Sequence, residues 1–133
     1  MPGATVLIVE DAATWATTLE MAFLAIPDLA VTVLPTAQEA LRLLANADCA
    51  VSAVVTDLNM PRMDGFEFIQ RIRAQPRLQR LPIIVVSGDT DPGTPDRLAS
   101  IGANAFFPKP YSPTQVRLKL EQLLDAMSAD RSP

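Results

Sequence analysis

Apolar residues gather in this chain into five short runs, separated by segments in which apolar positions recur at helical spacing. Thr5-Val6-Leu7-Ile8-Val9 is uninterrupted and β-branched, as a strand buried on both faces requires. Trp15, Leu19, Ala22, Phe23 and Ile26 then mark one face of a helix that Pro27-Asp28 stops. Ala30 to Leu34 reads as a second strand. Thr36-Ala37-Gln38-Glu39 is a capping box opening a helix whose face is Ala37, Ala40, Leu41 and Leu44. Val51 to Thr56 is the third strand, ending at Asp57, and a helix runs from Gly65 to about Ala74. Gln75 to Leu81 is a polar, Pro-interrupted connector, and Pro82 to Val86 is the fourth strand, ending at Ser87-Gly88. Thr94-Pro95 reads as an N-cap with Pro at the first helical position, and Gly102 as the C-cap of that short helix. Ala103 to Phe107 is the fifth strand. Ser112-Pro113-Thr114-Gln115 caps a last helix with Val116, Leu120, Leu123, Leu124 and Met127 on its face.

Strands alternating with helices predict an α/β fold: a doubly wound five-stranded parallel sheet with helices on both sides, because right-handed crossovers allow little else. The expected strand order is 2-1-3-4-5, the flavodoxin-like order, with its switch point between the first and third strands. That order brings Asp11 and Asp57 to one crevice, with Ser87 and Lys109 approaching from the fourth and fifth strands.

Composition narrows the chemistry. A chain of 133 residues with 49% hydrophobic and 20% charged residues is a single globular domain. We expect it to occupy residues 1–128, with 129–133 a frayed tail or the start of a linker. The net charge of −4 argues against direct nucleic-acid contact. Histidine is absent and Cys49 is the only cysteine, so His-based catalysis, an internal phosphohistidine, disulfides and cysteine metal clusters are excluded. No signal peptide or apolar run of membrane-spanning length is seen, so a soluble cytoplasmic protein without membrane contact is expected.

Several strands end on polar residues suited to one reaction. Glu10, Asp11 and Asp57 place three carboxylates together, a costly arrangement that a hard cation relieves; oxygen ligands with open positions favour Mg²⁺. Lys109 supplies a cation for Asp57 or for a phosphoryl oxygen, Ser87 a hydroxyl donor, and Gly88 with Leu58-Asn59 backbone N–H groups. The set matches phosphoryl transfer to a carboxylate, with Asp57 as nucleophile.

Val9-Glu10-Asp11, the stretch Asp57-Leu58-Asn59-Met60-Pro61-Arg62-Met63-Asp64-Gly65, Val86-Ser87-Gly88 and Phe106-Phe107-Pro108-Lys109-Pro110 together resemble bacterial response-regulator receiver domains of two-component systems, of the single-domain chemotaxis-regulator kind. The resemblance covers about residues 4–127. It implies that Asp57 accepts a phosphoryl group from a histidine kinase or phosphotransfer protein. It also implies that Asp11, Asp57 and the Asn59 carbonyl ligate Mg²⁺ while Glu10 acts through water. Ser87 would turn inward to bond the phosphate, Lys109-Pro110 would be a cis peptide, and Phe106 would be a switch aromatic moving with Ser87. Output would be a changed surface near the fourth helix, fifth strand and fifth helix, read by a downstream protein. Such a domain is not an enzyme beyond its own phosphorylation and dephosphorylation. The departures are Glu-Asp for the frequent Asp-Asp pair, Ser87 where Thr is also frequent, and Phe106 where many relatives carry Tyr.

Other readings stay open. An Mg²⁺-dependent phosphatase with an Asp nucleophile usually carries a second Asp two residues on, where Asn59 stands here. A receiver-like module that acts without phosphorylation is the third. Trp15 is either core packing or, one turn after Asp11, a reporter on the site. Arg97, Arg117 and Lys119 form either an interaction face or a solvated surface.

Overall fold

The structure, a computed structural model, describes residues 3–46, 48 and 50–131, with residues 127–131 described by backbone alone. In chain order it contains β1 (Thr5–Val9), α1 (Ala13–Phe23), β2 (Ala30–Leu34), α2 (Ala37–Ala45), β3 (Ala53–Asp57) and α3 (Gly65–Arg73). There follow a 3-10 turn (Pro76–Leu78), β4 (Ile83–Ser87), α4 (Thr94–Ser100), β5 (Ala105–Pro108) and α5 (Pro113–Arg131). All strand pairs are parallel and the order is β2-β1-β3-β4-β5, as the pattern predicts.

Side chains alternate across a strand, so each central strand feeds two cores. Leu7, Val9, Val54, Ile83 and Val85 face α2, α3 and α4, packing on Ala40, Leu44, Phe68, Ile72 and Leu98. Val6, Ile8, Val55, Ile84 and Val86 face α1 and α5, packing on Leu19, Phe23, Val116 and Leu120. Phe106 joins the first cluster and Phe107 the second, the opposite-face arrangement that their adjacency demands. None of the described helices is long and apolar enough to cross a membrane.

Boundaries shift where a local contact outweighs the pattern. α1 stops at Phe23, and Ile26 reaches the core from the following turn, with its N–H bonded to the Phe23 carbonyl at 3.0 Å. β3 starts at Ala53 rather than Val51. β4 starts one residue after Pro82, which has no N–H to pair, and β5 is Ala105–Pro108 rather than 103–107. Thr94 is not an N-cap: it is the buried first residue of α4, and Gly93 caps without a side-chain bond. Gly102 lies just past the cap, at φ +105, where a Cβ would come within 2.8 Å of Arg73 Nε. The connector is less polar than it reads, since Leu78 and Leu81 are both buried.

The Thr36 box is half formed. The Glu39 N–H donates to Thr36 Oγ1 at 3.2 Å, but the Glu39 carboxylate accepts from the Thr36 hydroxyl instead of reaching back to its N–H. Ser112 caps α5 through the Gln115 N–H at 3.3 Å, and that helix runs on through Arg131, into the segment expected to fray. Residues 132 and 133, and the expected core contact of Met127, lie outside the described structure. The three cations read as either an interaction face or a solvated surface each have a partner within the chain. Arg97 rests 3.7 Å over the Phe66 ring, Arg117 pairs with Glu121, and Lys119 bonds Gln122.

Candidate functional site

Strand register and the two-residue side-chain period build the site. Val9 pairs with Thr56, Asp57 with Val86, and Val86 with Phe107. One step past β1, Glu10 shares the α1/α5 side of the sheet with Val6 and Ile8, as Asp57 does with Val55. Two residues beyond Phe107, Lys109 arrives on that side as well, its N–H bonded to the Ser87 carbonyl at 2.7 Å. The Lys109-Pro110 peptide is cis.

The result is a compact ionic cluster. Lys109 Nζ lies 2.9 Å from Glu10 Oε1 and 3.0 Å from Asp57 Oδ2, with side chains only 12%, 1% and 7% exposed. Asp11, exposed at the mouth, completes a triad whose carboxylate oxygens lie within 4.8 Å of one another. Three carboxylates against one ammonium leave two negative charges, the charge of one divalent cation. The oxygen-only donor set is the kind that Mg²⁺ uses.

Burial and charge act together on this pair. Burial by itself would lower the Lys109 ammonium, but hydrogen bonds to Glu10 and Asp57, reinforced by their charges, raise it. Burial raises the Glu10 carboxyl and the Asp57 charge adds to this, against the bonds from Lys109 and from the Ala12 N–H. The shifts pull opposite ways on one ion pair, because burial penalises the Glu10 carboxylate while Lys109 gains two carboxylate partners. The geometry favours the ionised pair, and the upward push on Glu10 comes first from burial and only then from the Asp57 charge.

The loop after Asp57 is held tightly. The Asn59 N–H donates to Asp57 Oδ1 at 3.2 Å, and the Gly65 N–H to the Leu58 carbonyl at 2.8 Å. The Met63 N–H bonds back to the Pro61 carbonyl at 2.8 Å around Arg62 at φ 72, a left-handed γ-turn of a rare, strained type. Asp64 then caps α3 through the Glu67 N–H at 2.9 Å. On the opposite side of the sheet, fully buried Ser87 accepts from Asn59 Nδ2 at 3.4 Å and from the Asp89 N–H at 3.1 Å. Gly88 is exposed, and nothing lies within 4 Å of where its Cβ would stand, so close approach does not demand a glycine there. Leu58 is buried, its side chain in the α2/α3/α4 core.

A family model, the response regulator receiver domain, matches residues 6–121. The chain belongs to that family. This receiver domain is 33% identical over 82 residues to the chemotaxis protein CheY homolog of Campylobacter jejuni subsp. jejuni, covering 60% of this chain and 62% of that one. It is 35% identical over 85 residues to chemotaxis protein CheY1 of Helicobacter pylori, covering 62% and 65%. The alignments thus span under two thirds of these curated relatives. Among solved structures it resembles CheY4 of Vibrio cholerae, with TM-score 0.79 and 26% identity over 91% of this chain and 98% of that one. The receiver domain of a Syntrophus aciditrophicus signal transduction histidine kinase gives TM-score 0.83 and 27% identity, covering 98% and 96%.

The receiver structure brings Glu10, Asp11, Asp57 and Lys109 together, and sets Ser87 and Asn59 beside each other. Phe106 stands across the sheet from the ionic cluster, half-buried on the Ser87 side. Two features escaped the sequence reading. The bond of Lys109 to Glu10 is one, and it depends on a strand pairing that no local pattern encodes. The other is Tyr111, whose hydroxyl is buried without a hydrogen-bond partner among the described residues. Its place directly after Lys109-Pro110 was the available signal.

Burial pushes the Tyr111 phenol up to about 12, and the charges of Glu10 and Asp57 add to the effect. The folded value lies above the reference of 10.0, so the stability this phenol contributes is complete below pH 10.0 and lost as pH rises through about 12. Tyr111 is the only tyrosine. Phenolate absorbance of the folded protein should therefore give a single midpoint near 12, moving down in Asp57→Asn as one negative charge is removed. A native midpoint at 10.0 would mean that the ring stands in water.

Proposed function

We propose that this receiver domain is a phosphorylation-activated switch in which Asp57 takes a phosphoryl group from a phosphohistidine on a histidine kinase or phosphotransfer protein. The observation that carries this reading is the Asp57 carboxylate at the tip of β3, 3.0 Å from Lys109 and clustered with Glu10 and Asp11. An Asp57 oxygen forms a bond to phosphorus as the phosphorus–nitrogen bond of the donor breaks. The imidazole leaves with the electron pair and takes up a proton. Lys109 follows the charge from Asp57 onto a phosphoryl oxygen, while Ser87 and the N–H groups of Gly88 and Leu58 donate to the others. Asp11, Asp57 and the Asn59 carbonyl, with Glu10 through water, would hold Mg²⁺, which when bound neutralises phosphoryl oxygens.

Phe106 is the proposed switch aromatic. Register supports this, since Phe106 pairs with Val85 and so shares a sheet face with Ser87, two residues on. A phosphoryl group that draws Ser87 toward Asp57 would free space on that face for Phe106, reshaping the surface of α4, β5 and α5 for a downstream protein. The unit is residues 1–128, working in the cytoplasm without direct contact to nucleic acid or membrane. Its chemistry is confined to gaining and losing its own phosphoryl group. The phosphatase alternative draws no support from Asn59, whose amide is directed at Ser87 and has no acidic proton to give.

The test is intact mass after incubation with a small-molecule phosphodonor, with Mg²⁺ and with chelator. We expect one added phosphoryl group with Mg²⁺ and at least a tenfold slower gain with chelator, on the order of what neutralising two phosphoryl charges contributes. A folded chain that gains nothing with Mg²⁺ present would leave only the unphosphorylated interaction module.

A further inference from the structure

Trp15 does not join either core cluster. It lies in the first turns of α1, half-buried, with its ring centroid 4.8 Å from Lys109 Nζ and 5.1 Å from the ring of Tyr111, tilted by 39°. The Lys109 ammonium therefore has three neighbours: the Glu10 carboxylate, the Asp57 carboxylate and an indole face. Indole is the strongest of the aromatic faces for a cation, and the contact strengthens as water is excluded.

Both carboxylates have other work in the reaction. Glu10 and Asp57 belong to the cluster that suits a divalent cation, and Asp57 gives up its charge when it forms a bond to phosphorus. A lysine whose carboxylate partners are drawn away has a flexible stem and strong hydration to pull it into solvent. The indole face is uncharged, does not ligate a metal and is fixed on a helix. Tyr111 backs it from the loop between β5 and α5, so the aromatic pair ties α1 to the segment that carries Lys109.

We infer that Trp15, buttressed by Tyr111, is a positioning residue that keeps the Lys109 ammonium over Asp57 when the carboxylates are engaged by metal and phosphoryl group. This deepens the reading of Asp57 as acceptor and rests on it. A volume-filling role alone would be met by any large apolar side chain at 15, whereas positioning needs a π face.

The experiment compares native protein with Trp15→Phe and Trp15→Leu, each checked for native-like thermal unfolding. Lys109 and Lys119 are the only lysines, so their ε-proton resonances are readily told apart. In the native chain the Lys109 resonance should be shifted upfield of Lys119 by the indole ring current. It should stay so with Mg²⁺ and beryllofluoride as the phosphoryl analogue. In Trp15→Leu the shift should vanish and the rate of phosphorylation by a small-molecule donor should fall about tenfold, while Trp15→Phe keeps most of both. Equal rates for Leu and Phe, or a native Lys109 resonance that moves to the Lys119 position on adding the analogue, would overturn the inference. Should the native chain take up no phosphoryl group at all, the acceptor reading fails instead, and the resonance still reports the contact.

Discussion

Asp57→Asn yields a folded chain that takes up no phosphoryl group. Asn has the same shape, and its oxygen can keep the bond from the Asn59 N–H, 3.2 Å in the native protein. Lys109 retains its 2.9 Å pair with Glu10, so no buried charge is stranded. The change also removes one of three crowded carboxylates, so denaturant stability at neutral pH should equal or exceed that of the native chain. An amide oxygen is a far weaker nucleophile than a carboxylate, and the loss of rate should be on the order of 10⁴-fold or more. Affinity for Mg²⁺ should fall in parallel, by roughly tenfold for one lost carboxylate at about 1.4 kcal/mol. Mass spectrometry with a small-molecule donor, and metal titration, read the two effects separately. Undiminished phosphoryl uptake by the variant would mean that another residue is the acceptor.

Gly65→Ala should destabilise the fold by about 3 kcal/mol and slow phosphorylation as well. A Cβ at this position would lie 2.7 Å from Leu58 Cα and 2.8 Å from the Asp57 carbonyl oxygen. Both are backbone atoms, and the Leu58 backbone is tied by the 2.8 Å bond from the Gly65 N–H itself. Relief must come from moving α3 away or shifting the backbone that carries Asp57. Alanine's better helix propensity returns only about 1 kcal/mol, so the clash wins. Urea unfolding should show a lower midpoint with unchanged slope. A displacement of about 1 Å at the nucleophile is enough to cost roughly 100-fold in transfer rate. Native stability in the alanine variant would show that the contact between α3 and the Asp57 loop is looser than the structure has it.

How much was legible beforehand differs by kind of information. The runs of β1, β3 and β4 were visible because a strand buried on both faces is built almost wholly of apolar residues, and each of these central strands is buried along nearly its whole length. Their alternation with helices led to the parallel sheet, and the order expected was the common one for five such strands, which is the order observed. Asp57, Ser87 and Lys109 were legible as polar residues at strand ends, where side chains leave the ladder. Exact ends were not. Thr94 looked like a cap because threonine with a following proline so often is one, yet burial of its side chain prevailed.

Trp15 shows the limit most clearly. Its helical spacing with Leu19 and Phe23 reads as core, and Leu19 and Phe23 are core. The indole sits one turn earlier and joins neither core cluster. What stands there is Lys109, ninety-four positions away along the chain, with Tyr111 behind it.

The sequence by itself determined the layers, the parallel sheet and the residue types available at the sheet's carboxyl edge. Those follow from hydrophobic periodicity and chain connectivity, both local or nearly so. Only the tertiary structure decided which of those residues share a charge. Register through β1, β3, β4 and β5 sets Glu10 and Asp57 on one lysine, and helix placement sets an aromatic face against it. Pairings of that kind depend on distances of a few ångströms between segments far apart in the chain, and no local pattern carries them.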